Sequence, residues 1–166
     1  DYIMGIVKAY TTRVGSGPFP TELHDKYGEH LGSVGVEFGA TTGRPRRCGW
    51  LDVVALRRSV LNSSISGFCL TKLDVLDGLE KIKICTEYKL NEQAISNFPL
   101  EISELDNCEP LYEEFAGWED STKGLKRYAD MPSNAKKYIQ AIESFVEAKI
   151  SSISTSPERD DTILLE

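Results

Sequence analysis

The sequence has no C-x-x-C pair and only two histidines, and its four cysteines (Cys48, Cys69, Cys85, Cys108) lie far apart. A zinc site needs ligands clustered at characteristic spacing, so no metal site is expected in this chain. The apolar, strand-like or helix-start surroundings of most of these cysteines fit buried thiols in a reducing cytosol better than a disulfide framework. The chain also lacks a G-x-x-x-x-G-K-[ST] loop to cradle a triphosphate, a G-x-G-x-x-G fingerprint and a G-x-S-x-G elbow. No apolar run approaches the ~18 residues of a membrane span. A basic excess is missing too: 19 Lys+Arg against 26 Asp+Glu give a net charge of -7 and a pI of about 5.0. That balance argues against nucleic acid as a partner. The first residues carry no signal-peptide pattern, and the expected location is the cytoplasm.

What is present is ordinary globular composition, 40% apolar and 27% charged in 166 residues. A chain of this length can bury about two-thirds of its unfolded surface, enough for one core, so residues 1–166 are expected to belong to one domain. The chain opens on Asp1 and runs at once into the apolar residues 2–7, which suggests a piece of a longer protein.

Residues 3–10 read as a strand, followed by an irregular turn in which Gly15, Gly17 and Pro18 punctuate the backbone. From Trp50 a helical period appears: Trp50, Val53, Val54, Val60 and Leu61 share a face, with Arg57 and Arg58 opposite. Residues 65–70 read as a buried strand. Ile82, Ile84, Thr86 and Tyr88 alternate as a half-buried one. Residues 91–107 read as a long polar excursion and 110–115 as a short strand, and 117–132 form a loop with one helical turn. Ser133 is predicted to cap a helix whose inner face is Ala135, Tyr138, Ile139, Ile142, Phe145 and Val146. Residues 150–153 make a last strand before an acidic tail. Strands alternating with helices predict an α/β fold with ligand loops at strand ends.

Residues 41–47, Thr-Thr-Gly-Arg-Pro-Arg-Arg, are the richest in chemistry. Three guanidinium groups, two hydroxyls and a close-approach glycine suit a carboxylate or phosphate, against the plain alternative of a solvated basic turn. In Lys72-Leu73-Asp74, a carboxylate at a strand exit could accept hydrogen bonds from both guanine donors, which adenine does not supply. Taken alone, that triplet is an ordinary strand exit, and Ser154-Thr155-Ser156-Pro157 a plain turn. His24 and His30 lie in a polar stretch without a neighbouring nucleophile and are expected at the surface. A guanine nucleotide held here would be held by its base and not its phosphates.

Taken together, the residues of 5–15, 17–22, 37–52 (with Glu37-Phe38-Gly39-Ala40-Thr41-Thr42-Gly43-Arg44-Pro45-Arg46-Arg47) and 70–77 (with Leu70-Thr71-Lys72-Leu73-Asp74) resemble the adenylosuccinate synthetase family over essentially the whole chain. The resemblance implies the C-terminal portion of such an enzyme. The fold it implies is part of a large, mostly parallel sheet flanked by helices, with a P-loop-NTPase-like nucleotide site. The family is a ligase of purine biosynthesis. GTP phosphorylates the 6-oxygen of IMP, and the amine of L-aspartate then displaces the phosphate. By resemblance, Ala40, Thr41, Thr42, Gly43, Arg44, Pro45 and Arg46 form the aspartate loop. Val14 and Arg44 meet IMP; Arg46, Lys72, Leu73, Asp74, Ser154, Thr155 and Ser156 meet GTP. Ser156 stands where the family often has glycine. The catalytic aspartate and histidine, the phosphate loop, the ligands of Mg2+ and the contacts made across a homodimer are expected outside this chain. The fragment is therefore expected to be inactive alone. The alternative is a non-catalytic nucleotide-binding or assembly module derived from the same fold.

Overall fold

The computed structural model describes residues 1–165; Glu166, the last residue of the expected domain and of its acidic tail, lies outside the described residues. The chain divides into two compact units, one made of Asp1–Ala9, Leu56–Ile82 and Glu114–Glu166, the other of Tyr10–Ala55 and Lys83–Glu113.

In the first unit, β1 (Met4–Lys8), β5 (Gly67–Thr71) and β9 (Lys149–Ser154) run parallel, and β10 (Thr162–Leu164) closes the order β1-β5-β9-β10 antiparallel to β9. The sheet is thus mixed. The predicted acidic tail is in part a strand, because the turn after Ser154 returns the chain so that Ile163 pairs with Ile153 and is buried. Phe68, Leu70, Ile150 and Ile153 are buried, as sheets covered by helices require. The covering helix is α4 (Ser133–Val146), which buries Ala135, Tyr138, Ile139, Ile142 and Val146. Its N-cap is Pro132, with no side-chain cap bond; Ser133 is the first helical residue and not the cap. The Tyr138 hydroxyl donates to the carbonyl of Ala9 at 2.7 Å, fastening the helix to the end of β1.

Gly117 fixes another contact in this unit. Its N–H donates to Glu80 O at 2.9 Å, and a Cβ at position 117 would lie 1.6 Å from Leu79 O. Backbone must move to admit it. Gly117→Ala should therefore cost about 3 kcal/mol or more, read as a lower denaturation midpoint of the full-length protein at unchanged slope. A loss below about 1 kcal/mol would mean that the close approach relaxes freely.

The second unit holds β2 (Thr11–Arg13) paired antiparallel with β3 (Arg47–Gly49), and β4 (Leu51–Asp52) parallel to β6 (Lys81–Leu90), which also pairs with β7 (Gln93–Ile95) and β8 (Glu109–Ala116); the first two residues of β6 and the last three of β8 belong to the first unit. The polar stretch 91–107 is more ordered than its composition suggests. Asn91 and Glu92, both at positive φ (50° and 64°), make the two-residue turn of the β6–β7 hairpin, and α3 (Ile102–Asp106) follows. A further helix, α1 (Lys26–Val34), has Gly28 and Gly32 inside it, which hide its periodicity in the sequence. Asp25 caps it through Tyr27 N and Gly28 N.

The helix predicted from Trp50 begins later, as α2 (Val53–Ser63), since Leu51 and Asp52 are drawn into pairing with Ile84 and Cys85. Asp52 then serves the helix start, its Oδ1 accepting from Ala55 N at 3.0 Å, while Oδ2 accepts from the buried Tyr88 hydroxyl. Burial pushes the Asp52 carboxyl above its ordinary value, only partly opposed by these bonds. A raised folded pKa stabilises the protonated form. The contribution is present below the ordinary carboxylate range and lost as pH rises through the raised value. Unfolding curves of Asp52→Asn and wild type should accordingly diverge in the variant's favour across that window as pH rises; a pH-independent difference would refute the assignment.

All four cysteines are free; Cys48, Cys85 and Cys108 are buried and Cys69 partly so. No helix among the described residues is long and apolar enough to cross a membrane.

Candidate functional site

In the first unit, Val7, Leu70 and Ile153 stand side by side in the parallel register, so the segments after β1, β5 and β9 leave the sheet at one edge, the edge where α/β sheets bind ligands. Two of these exits are the sequence candidates: Lys72–Asp74 after β5 and Thr155–Ser156 after β9. Lys72 has φ 62° and ψ 25°, a left-handed conformation that costs a lysine about 1 kcal/mol or more and turns the chain into a 3-10 turn at Leu73–Leu76. Leu73, Val75 and Leu76 are buried by this turn. Asp74 between them is half-buried, and desolvation pushes its carboxyl upward, with Asp77 adding to the rise and Lys72 and Lys123 opposing it. Leu73 is 0% exposed and anchors the turn from beneath.

The exits are tied together by residues the sequence did not single out. Asp77 accepts from Trp118 Nε1 (2.6 Å), Thr122 N (2.7 Å), Thr122 Oγ1 (2.8 Å) and Ser121 Oγ (3.1 Å). From there the chain reaches Gly124, whose N–H donates to Thr155 O at 3.3 Å, and Leu125, whose carbonyl accepts from Thr155 Oγ1 at 3.0 Å. Ser156 is buried; its hydroxyl donates to Asp161 Oδ2 at 2.6 Å and accepts from Glu158 N. The side chain at this position thus pins the turn rather than pointing idly outward. Ser154 Oγ donates to Ser156 O at 3.0 Å. The Lys126 ammonium pairs with Asp161, and this bond together with that of Ser156 holds the Asp161 carboxyl below its ordinary value.

The arginine-rich loop belongs to the second unit. Phe38 and Pro45 form an isolated antiparallel bridge, Gly39 N donates to Arg44 O (2.9 Å), and Gly43 N to Gly39 O (2.8 Å) with Gly43 at φ 65°. Residues 40–45 stand exposed on this closed turn. The three arginines do not act alike. Arg44 lies on the exposed turn. Arg46 donates from Nη1 to Glu37 Oε2 at 2.7 Å. Arg47 lies in β3 and is fully engaged, with Nε and Nη2 on Glu22 and Nη1 on the carbonyls of Gly15 and Gly17. That pairing lowers the Glu22 carboxyl and raises the Arg47 guanidinium. Of the three guanidinium groups expected to face an anion, Arg47 is committed within the fold, which leaves Arg44 and Arg46 as the candidates. Val14, 78% exposed, follows directly on the Arg13–Arg47 pair, so it shares one end of the β2–β3 sheet with the root of the loop.

His24 is exposed, 3.8 Å from Glu22. Among the described residues no group of three or more His, Cys, Asp or Glu is arranged to hold a metal ion.

A family model for adenylosuccinate synthetase matches residues 1–163. The chain is 55% identical over 166 residues to an adenylosuccinate synthetase of Thermodesulfovibrio yellowstonii, and 58% identical over 165 residues to one of Thermoanaerobacter sp. (strain X514). These alignments take in 100% and 99% of this chain and 39% of each relative. The structure of fully ligated adenylosuccinate synthetase from Plasmodium falciparum superposes with a TM-score of 0.96 at 41% identity, covering 100% of this chain and 40% of that one. The chain thus spans about 39% of the length of the curated relatives it matches. This coverage gives the extent of the shared part but does not support the C-terminal placement expected from the sequence. By sequence and by fold, the chain belongs to the adenylosuccinate synthetase family.

Proposed function

We propose that this chain supplies the aspartate loop and the guanine end of the nucleotide site in a GTP-dependent ligase that joins IMP to L-aspartate. One observation carries the reading: Lys72–Asp74 and Thr155–Ser156 leave neighbouring parallel strands at the same edge, and Asp77, at the end of the turn that follows Asp74, is joined through residues 121–125 to Thr155. Alone, neither segment is more than a strand exit; side by side, they form two walls of a base pocket with a carboxylate on one of them. The exposed turn 40–45 supplies the Arg44 guanidinium fork for aspartate and IMP, Arg46 at its root reaches GTP, and Val14 lies at the same end of its sheet for the IMP ribose.

In this reading residues 1–166 are part of one synthetase domain, a view supported by a single family model running unbroken over both units. The remaining length of the protein holds the acid–base groups, the phosphate loop and the Mg2+ ligands, and the whole acts as a cytoplasmic homodimer. GTP phosphorylates the IMP 6-oxygen; the aspartate amine attacks C6, and inorganic phosphate leaves.

The full-length protein, given GTP, IMP, aspartate and Mg2+, should release phosphate and form adenylosuccinate in equal amounts. The 166-residue chain alone should release none, because general acid–base and metal catalysis account for many orders of magnitude in rate. Turnover that follows this chain through purification would overturn the division of labour. GTP binding without turnover by the full-length protein would favour the non-catalytic alternative.

A further inference from the structure

We infer that Glu37 is a positioning residue for Arg46, holding its guanidinium so that the opposite edge faces the bound nucleotide. The inference rests on the reading of residues 40–46 as the aspartate loop and of Arg46 as a GTP contact. Glu37 is 1% exposed. A carboxylate so deeply buried must be paired, and its two oxygens are shared out: Oε2 accepts from Arg46 Nη1 at 2.7 Å, and Oε1 from the Tyr10 hydroxyl at 2.6 Å.

The backbone of Glu37 is tied on both sides as well. Its N–H donates to Gly32 O at the end of α1 (2.9 Å), and its carbonyl accepts from Arg46 N (2.8 Å). Glu37 therefore closes the base of the loop twice, once through the main chain and once through the side chain. Room for this arrangement comes from Gly35, where a Cβ would lie 2.3 Å from Tyr10 Oη and 3.2 Å from Glu37 Cγ. The Arg46 side chain is 32% exposed, half in and half out. A guanidinium has five N–H donors, and with Nη1 turned inward the Nε and Nη2 side remains to meet an anion in a two-point contact.

The test is steady-state kinetics on the full-length protein. Glu37→Gln keeps shape and one acceptor oxygen but removes the charge that orients Arg46, and should raise the KM for GTP about tenfold with kcat changed less than about twofold. Tyr10→Phe, which leaves the ring in place, should raise it in the same direction by about threefold, and carries the test should Glu37→Gln fail to fold. On an Arg46→Ala background, the Glu37→Gln effect on KM should vanish, since there is no longer a guanidinium to orient. The inference is overturned if both single variants leave the KM for GTP unchanged, or if Glu37→Gln adds its full effect to Arg46→Ala. Should Arg46→Ala itself leave the KM for GTP unchanged, the underlying reading of Arg46 fails and the positioning role falls with it.

Discussion

Asp74→Asn in the full-length protein should weaken GTP by about 2–4 kcal/mol and shift preference toward xanthosine triphosphate. In the proposed pocket the carboxylate accepts from both the ring N–H and the exocyclic amine of guanine. The amide keeps one acceptor and turns an NH2 toward the other donor, whereas xanthine has a carbonyl there that welcomes it. The backbone around Asp74 should survive the change, because the 3-10 turn is set by Leu73, Val75 and Leu76 in the core and by Asp77 in its network. A pH series adds a second arm. Burial raises the Asp74 carboxyl in the free protein, and guanine's donors favour its ionised form. GTP affinity should therefore be full above that raised value and fall as pH drops through it, and the fall should be absent in Asp74→Asn. If neither the GTP-to-XTP ratio nor the pH dependence moves, Asp74 is a strand exit and guanine is read elsewhere.

Arg44→Ala is expected to raise the KM for aspartate by the equivalent of about 2–5 kcal/mol, the usual cost of removing the charged partner of a desolvated carboxylate. The substitution isolates the side chain cleanly, for the loop is closed by the Arg44 backbone: its carbonyl accepts from Gly39 N and its N–H donates to Thr42 Oγ1. Alanine keeps both. Arg44→Lys should restore part of the affinity only, since a point charge cannot reproduce a fork. Full restoration by lysine would reduce Arg44 to a source of general positive field.

How much of this was legible in the sequence follows from what each residue does. Contiguous segments were readable: the alternation of β6, the apolar face of α4 and the loop 40–46 each carry their pattern within a few residues. Elements whose pattern is broken locally were not. Two glycines hide α1, Asn91-Glu92 is an unusual pair for a hairpin turn, and β10 depends on β9 for its pairing. In the candidate site the missing residues are those that act through a distant partner. Glu37, Asp77, Thr122 and Asp161 are unremarked polar residues in the sequence; only folding shows that Glu37 is buried against Arg46 or that Asp77 gathers four hydrogen bonds. Arg47 is the converse case. Its neighbours suggested an anion ligand, and Glu22, 25 residues away, had already claimed it.

The pairing of β5 with β9 brings together residues about 80 positions apart, and the turn that completes the second wall depends on Asp161. On the ribosome, Lys72–Asp74 would thus emerge long before its companion segment exists. β5 can pair with β1, and Thr122 with Asp77, before β9 is made, but the turn at Thr155 and Ser156 waits for the chain as far as Asp161. Assembly of the proposed pocket therefore waits for contacts far separated along the chain. A ribosome stalled before Asp161 has cleared the exit tunnel would carry a polypeptide with the loop 40–46 available and the second wall of the proposed pocket unformed.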